Sequence, residues 1–161
     1  MTCRRRRSRR RAPPTTWAGT STSPRRTGVC TGTRPLRPGG TSRTAVDVVG
    51  AGHLVADVEG VTIARDRTSS SGHLIVSCQG NHTFQVYDLA APHTWRKQFT
   101  VAGSSANGTD AVTSSDGVDV TRAALGTTFP QGVFVTHDAA NTGGQMSNFK
   151  LVDAGDVLGD Y

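Results

Sequence analysis

The chain has 161 residues, a mean hydropathy of −0.36 and a formal net charge of +6, enough for one ordinary domain with its own core. No segment approaches the roughly 18 consecutive apolar residues that a membrane span requires, and three cysteines without a CxxC spacing exclude a disulfide framework. The total charge is a sum of unlike parts: residues 1–43 carry 12 of the 18 Lys+Arg and no acid, whereas residues 44–161 carry the other 6 against all 12 Asp+Glu.

The chain opens "MTCRRRRSRRRAPP" and continues in Thr, Ser, Gly, Pro and Arg, with almost no aliphatic residues. Such a composition cannot bury enough surface to offset its chain entropy, so residues 1–43 are expected to form a disordered basic tail. No apolar stretch follows the arginines, and no signal peptide is expected. The Arg run reads as a nucleic-acid arm, as a solvated leader, or as the product of a GC-rich gene read from a misplaced start. The acidic remainder carries no basic stripe, which argues against a nucleic-acid partner.

From residue 44 the pattern changes to short runs rich in Val, Ile, Phe and Thr, punctuated by Gly, Asn, Asp and Pro. Strands are expected at 58–64, 73–78, 83–87, 98–101, 118–121, 132–136 and 148–152. Cys78, inside the apolar run Leu74–Cys78, is expected to be a core residue. No window of 11 or more residues shows a helical period; residues 153–161 could open a helical turn that then stops. The first four runs are spaced as a four-stranded antiparallel meander, and the next three as a second meander lacking its last strand. Periodicity leaves two ways to cover such sheets, radial stacking as in a propeller or a small sandwich.

Four places set carboxylates or amides beside strand ends. Asp57 and Glu59 are two residues apart and are expected on one face of a strand. Gln79-Gly-Asn81 follows the run ending at Cys78. "TDAVTSSDGVDV" (109–120) gathers Asp110, Asp116 and Asp119 with no basic residue among them. Asp138 and Asn141 follow the apolar Val133-Phe-Val135. These stretches are ordinary turns, or they are oxygen ligands for a hard cation such as calcium, which takes six to eight oxygens and would draw on several stretches at once. The histidines (His53, His73, His82, His93, His137) form no HxH or HExxH pair, and most are expected at the surface or at strand edges.

The blocks "HLVADVEGVTI" (53–63), "GHLIVSCQGNHTFQVYD" (72–88), "GTDAVTSSDGVDV" (108–120), "FPQGVFVTHDAAN" (129–141) and "SNFKLV" (147–152) resemble, in order and spacing, the C-terminal part of β-propeller phytases. The resemblance covers residues 44–161 and implies an all-β fold, here about two C-terminal blades of a six-bladed β-propeller. It further implies a secreted, calcium-dependent 3-phytase. Such an enzyme hydrolyses phosphate monoesters of phytate (inositol hexakisphosphate) or other inositol phosphates, with calcium activating the attacking water. Carried over position by position, Asp57 and Glu59 resemble catalytic calcium ligands and Asp110 a catalytic aspartate at the junction between those calciums and a structural one, with Gln79 and Asp116 as further contributors. Asp138 and Asn141 resemble part of a structural calcium site. Ser114 stands where an Asp is usual, and Ala111 and Ala139 where Gly is usual. The family's earlier blades supply further glutamates and the Lys and Arg that hold phosphates. Residues 44–161 are therefore expected to be a fragment with little activity alone, or else a non-catalytic calcium- or partner-binding piece.

Overall fold

The computed structural model describes residues 43–159 and, before them, the backbone of two short strands, β1 (Thr2–Cys3) and β2 (Val29–Thr33). These pair with β3 (Arg43–Val48) in a three-stranded antiparallel sheet, β1-β2-β3. The expectation of a disordered tail over 1–43 otherwise falls outside the described residues.

The first meander forms as expected: β4 (Val58–Arg65), β5 (Gly72–Cys78), β6 (Thr83–Asp88) and β7 (Trp95–Phe99) lie in sequential antiparallel order. β5 is buried at every position, which is why its sequence reads as one continuous apolar run rather than an alternation. Its Leu74, Val76 and Cys78 face one core with Leu54 and Tyr87, to which Val46 and Val49, from β3 and the turn after it, add their side chains. Ile75 faces a second core with Phe84, Val86, Phe134, Val157 and Leu158. Cys78 is a core residue, as expected, and burial pushes its thiol pKa up.

The second meander is β8 (Val118–Thr121), β9 (Val133–Asp138) and β10 (Asn148–Asp153), three strands in the order β10-β9-β8. A one-and-a-half-turn helix, α1 (Ala154–Leu158), follows β10. Asp153 caps it by accepting from the Gly155 amide at 2.7 Å, and Val157 and Leu158 reach into the core between the two meanders. That core centres on Phe84, Phe99 and Phe134, whose ring centroids lie 5.0, 5.4 and 5.6 Å apart. The sheet β4–β7 is thus covered on both faces, by β3 residues on one side and the second meander on the other. The fold is all-β, in stacked antiparallel sheets consistent with consecutive propeller blades.

Most strand ends move by a single residue, and three departures are larger. The fourth strand runs Trp95–Phe99 rather than 98–101, because its charged Arg96 and Lys97 hide it from an apolar-run criterion. The sixth extends to Asp138, and β3 spans the boundary that composition set at residue 44.

Candidate active site

Antiparallel meanders fix which chain segments share an end. The start of β4, the end of β5, the start of β8, the end of β9 and the start of β10 all fall together, because β4 and β8 run side by side. Their closeness depends on Gly60: a Cβ there would stand 3.0 Å from the Val118 nitrogen and 3.2 Å from the Gly117 Cα. Thr62 Oγ1 donates to Asp119 Oδ1 at 2.9 Å across the same seam, so Asp119 serves the join between the sheets.

At the shared end, Asp57, Gln79 and Asp116 come together from three segments. Gln79 opens a short 3-10 turn, Gln79–Asn81, and its amide donates to the Asp57 carbonyl at 2.7 Å. Only glycine fits at position 80, where a Cβ would lie 1.9 Å from the Ala56 carbonyl oxygen. The Gln79 side chain then reaches across to Asp116, its Nε2 donating to Oδ1. The Asp116 carboxylate is 60% exposed and faces solvent at this end. The single-face expectation for Asp57 and Glu59 meets an irregularity: the β4–β5 register shifts between Val58 and Val61, placing Glu59 and Gly60 in a bulge.

Two histidines hold the loop that carries Asp116. His82 Nδ1 accepts from the Ser114 amide at 2.9 Å, and His137 Nδ1 accepts from the Asp116 amide in a long contact of 3.5 Å. Both sit at strand or turn ends as expected, but His73 is buried, 8% exposed, and burial lowers its pKa.

Asp110, Asp138 and Asn141 form a second cluster, and at its centre stands Lys150 of β10. Its Nζ lies 2.7 Å from Asp110 Oδ1, 2.9 Å from Asn141 Oδ1 and 3.1 Å from Asp138 Oδ2. The group is enclosed: side-chain exposure is 11% for Lys150, 16% for Asp110 and 0% for Asp138. Asp138 Oδ1 takes the Thr113 amide at 2.9 Å, while Oδ2 has only the ion pair with Lys150. Asp110 Oδ2 takes the Thr142 amide at 2.5 Å. The Lys150 hydrogen bond, and then that amide, hold the Asp110 carboxyl down at about 2, and the Lys150 ammonium is pushed up by its bond to Asp110.

The acidic stretch 109–120 is therefore neither a pair of solvated turns nor one ligand loop. Val112 and Ser115 are buried, with Ser115 Oγ 2.7 Å from Thr136 Oγ1, and the stretch sends Asp110 to one cluster and Asp116 to the other. Lys150 had no signal in sequence, since it lies 40 residues from Asp110. Arg65, Arg67 and Arg122 line a groove of about 600 Å³ at the far ends of β4 and β8, so they supply no phosphate donors to the carboxylate end. Among the described residues no three His, Cys, Asp or Glu side chains converge as a metal cage. The donors at the Asp57–Gln79–Asp116 end are nonetheless oxygens suited to a hard cation.

A family model for phytase matches residues 33–160, opening within the stretch that composition assigned to the tail. The chain is also 36% identical, over 120 residues, to a 3-phytase of Bacillus subtilis (strain 168), an alignment covering 71% of this chain and 30% of the relative. No helix among the described residues is long and apolar enough to cross a membrane.

Proposed function

Because this chain belongs to the phytase family, we propose that it contributes a calcium-assisted phosphate-monoester hydrolysis site acting on phytate, within a larger six-bladed propeller. The observation that carries the reading is the convergence of Asp57, Gln79 and Asp116 from three separate segments on one solvent-facing end of two adjacent sheets. Asp57, Glu59, Gln79 and Asp116 would hold the cation. When bound, calcium supplies positive charge for a phosphate group and lowers the pKa of its water.

The chain's own residues contribute position. Gln79 spends its backbone amide on the Asp57 carbonyl and its side-chain amide on Asp116, so one residue fixes the spacing of two donors. His82 and His137 hold the Ser114 and Asp116 amides and so set where the Asp116 carboxylate stands. Asp110 reaches the same end through Lys150.

The chain spans 30% of the length of the curated 3-phytase it matches, and Arg65, Arg67 and Arg122 sit at the opposite end of the sheets from Asp57, Gln79 and Asp116. A substrate with six phosphates needs fixed cationic donors as well as metal, and calcium alone does not orient it. We therefore expect the 161-residue chain by itself to release little phosphate from phytate. As a non-catalytic alternative, it would bind calcium or a partner without turnover, a reading favoured by the exposed Phe149 and Leu151 on β10. The test joins this chain to the upstream portion of the Bacillus relative and assays phosphate release from phytate with calcium or with a chelator. Calcium-dependent release that falls at least about tenfold in Asp116→Ala supports the proposal. Release indifferent to chelator and to Asp116 rejects it.

A further inference from the structure

We propose that Lys150 is the resident cation of the pocket made by Asp110, Asp138 and Asn141, so that an ammonium group rather than a metal ion holds this part of the site. The inference builds on the calcium reading above by confining calcium to the Asp57–Gln79–Asp116 end. Lys150 donates hydrogen bonds to Asp110 Oδ1 at 2.7 Å and Asn141 Oδ1 at 2.9 Å, and its charge lies 3.1 Å from Asp138 Oδ2 as an ion pair.

Four of the five side-chain oxygens of the pocket already accept hydrogen bonds, and the fifth, Asp138 Oδ2, holds the ion pair with Lys150. Asp110 Oδ1 and Oδ2 face Lys150 Nζ and the Thr142 amide. Asp138 Oδ1 and Oδ2 face the Thr113 amide and Lys150 Nζ. Asn141 Oδ1 faces Lys150 Nζ and the Asn148 Nδ2 at 2.8 Å. Calcium needs six to eight oxygens, and here it would have to displace both the ammonium and the backbone amides.

Lys150 is placed to stay. It pairs with Thr136 on β9, and it is more buried than its flanking Phe149 and Leu151 because its side chain leaves the opposite face of the strand. Its stem crosses to the acidic stretch and ties two segments together, the stretch carrying Asp110 and the end of β9 with its following loop, which carry Asp138 and Asn141. Lys150 is thus a positioning residue for Asp110, acting with no metal in between.

Amide hydrogen exchange in the full chain tests this, because the Thr113 and Thr142 amides report on Asp138 and Asp110 directly. In chelator, both amides of the wild-type chain are expected to be protected, and calcium is expected to change their exchange by less than about twofold. Lys150→Met in chelator is expected to speed both by about tenfold or more, with calcium restoring protection in that variant only. Lys150→Arg, which keeps the charge and donors, is expected to retain most of the protection and decides the matter if Lys150→Met does not fold. Wild-type amides that exchange freely in chelator and become protected on adding calcium would overturn the proposal, as would equal protection in the folded Lys150→Met variant. The calcium reading fails separately: if the Gln79 side-chain amide signals ignore calcium while Thr113 and Thr142 stay protected in chelator, the functional proposal falls and the Lys150 assignment stands.

Discussion

The two carboxylate clusters at the shared end of the sheets are built from the same residue types and answer their charge in opposite ways. Asp110 and Asp138 are enclosed and have an internal ammonium, Lys150, at 2.7 and 3.1 Å. Asp116 is 60% exposed and has an amide, Gln79, as its hydrogen-bond donor. A buried carboxylate without a counter-charge is too costly to keep, so the inner cluster is bound to carry its own cation. An exposed carboxylate bears no such constraint and can wait for a cation from solution. Two clusters built from the same oxygen-bearing side chains thus differ, one carrying an internal ion pair and the other open to solvent.

Removing Lys150 should break this contrast with the largest effect. Lys150→Met strips the buried Asp138 Oδ2 of its ion-pair partner and is expected to destabilise the chain by about 3 kcal/mol in chelator, the low end for a broken buried pair because water still reaches Lys150. Urea denaturation measures it. Asp116→Asn, by contrast, should change stability by no more than about 0.5 kcal/mol while weakening calcium binding at least about tenfold. A stability loss for Asp116→Asn as large as that for Lys150→Met would erase the distinction.

Acid sharpens the comparison. Asp110 titrates at about 2 in the fold against 3.8 as its ordinary value, held down first by the Lys150 hydrogen bond and then by the Thr142 amide. A depressed carboxyl contributes stability that is fully present above about pH 4 and is lost as pH falls from there toward 2. The denaturation midpoint should decline over that window in the wild type and much less in Asp110→Asn. His73 acts at milder pH with a different origin: burial lowers its pKa, so protonation favours the unfolded chain and stability erodes as pH falls through about 6.5. His73→Gln should flatten that part of the profile. The smallest effect is expected at the surface pair Arg96–Asp88, which is close at 2.7 Å but has its arginine 55% exposed. Arg96→Met should cost less than about 1 kcal/mol, marking how far burial, rather than charge pairing as such, sets the Lys150 result.

Strand pattern was readable where burial was complete or alternating. β5 announced itself by seven consecutive buried positions, and β8 by its alternation, while β7 shifted because Trp95, Arg96 and Gln98 lie on an exposed edge. β3 was hidden because its Arg43 belongs compositionally to the basic tail. The individual ligand candidates could be named from the matched blocks, but not their grouping. Asp116 meets Gln79 over 37 residues, a contact between the two sheets that adjoin at Gly60, and Asp110 meets Lys150 over 40. The bulge at Glu59 also escaped a period-two argument, since alternation fails where the ladder slips.

The central claim is that calcium enters at the Gln79–Asp116 end and leaves the Lys150 pocket undisturbed. A calcium titration of the full chain, followed by the Gln79 and Asn141 side-chain amide signals together, tests it most directly. The account predicts saturable shifts at Gln79, abolished by Asp116→Ala, with Asn141 unchanged throughout. Shifts at Asn141 without any at Gln79 would contradict it.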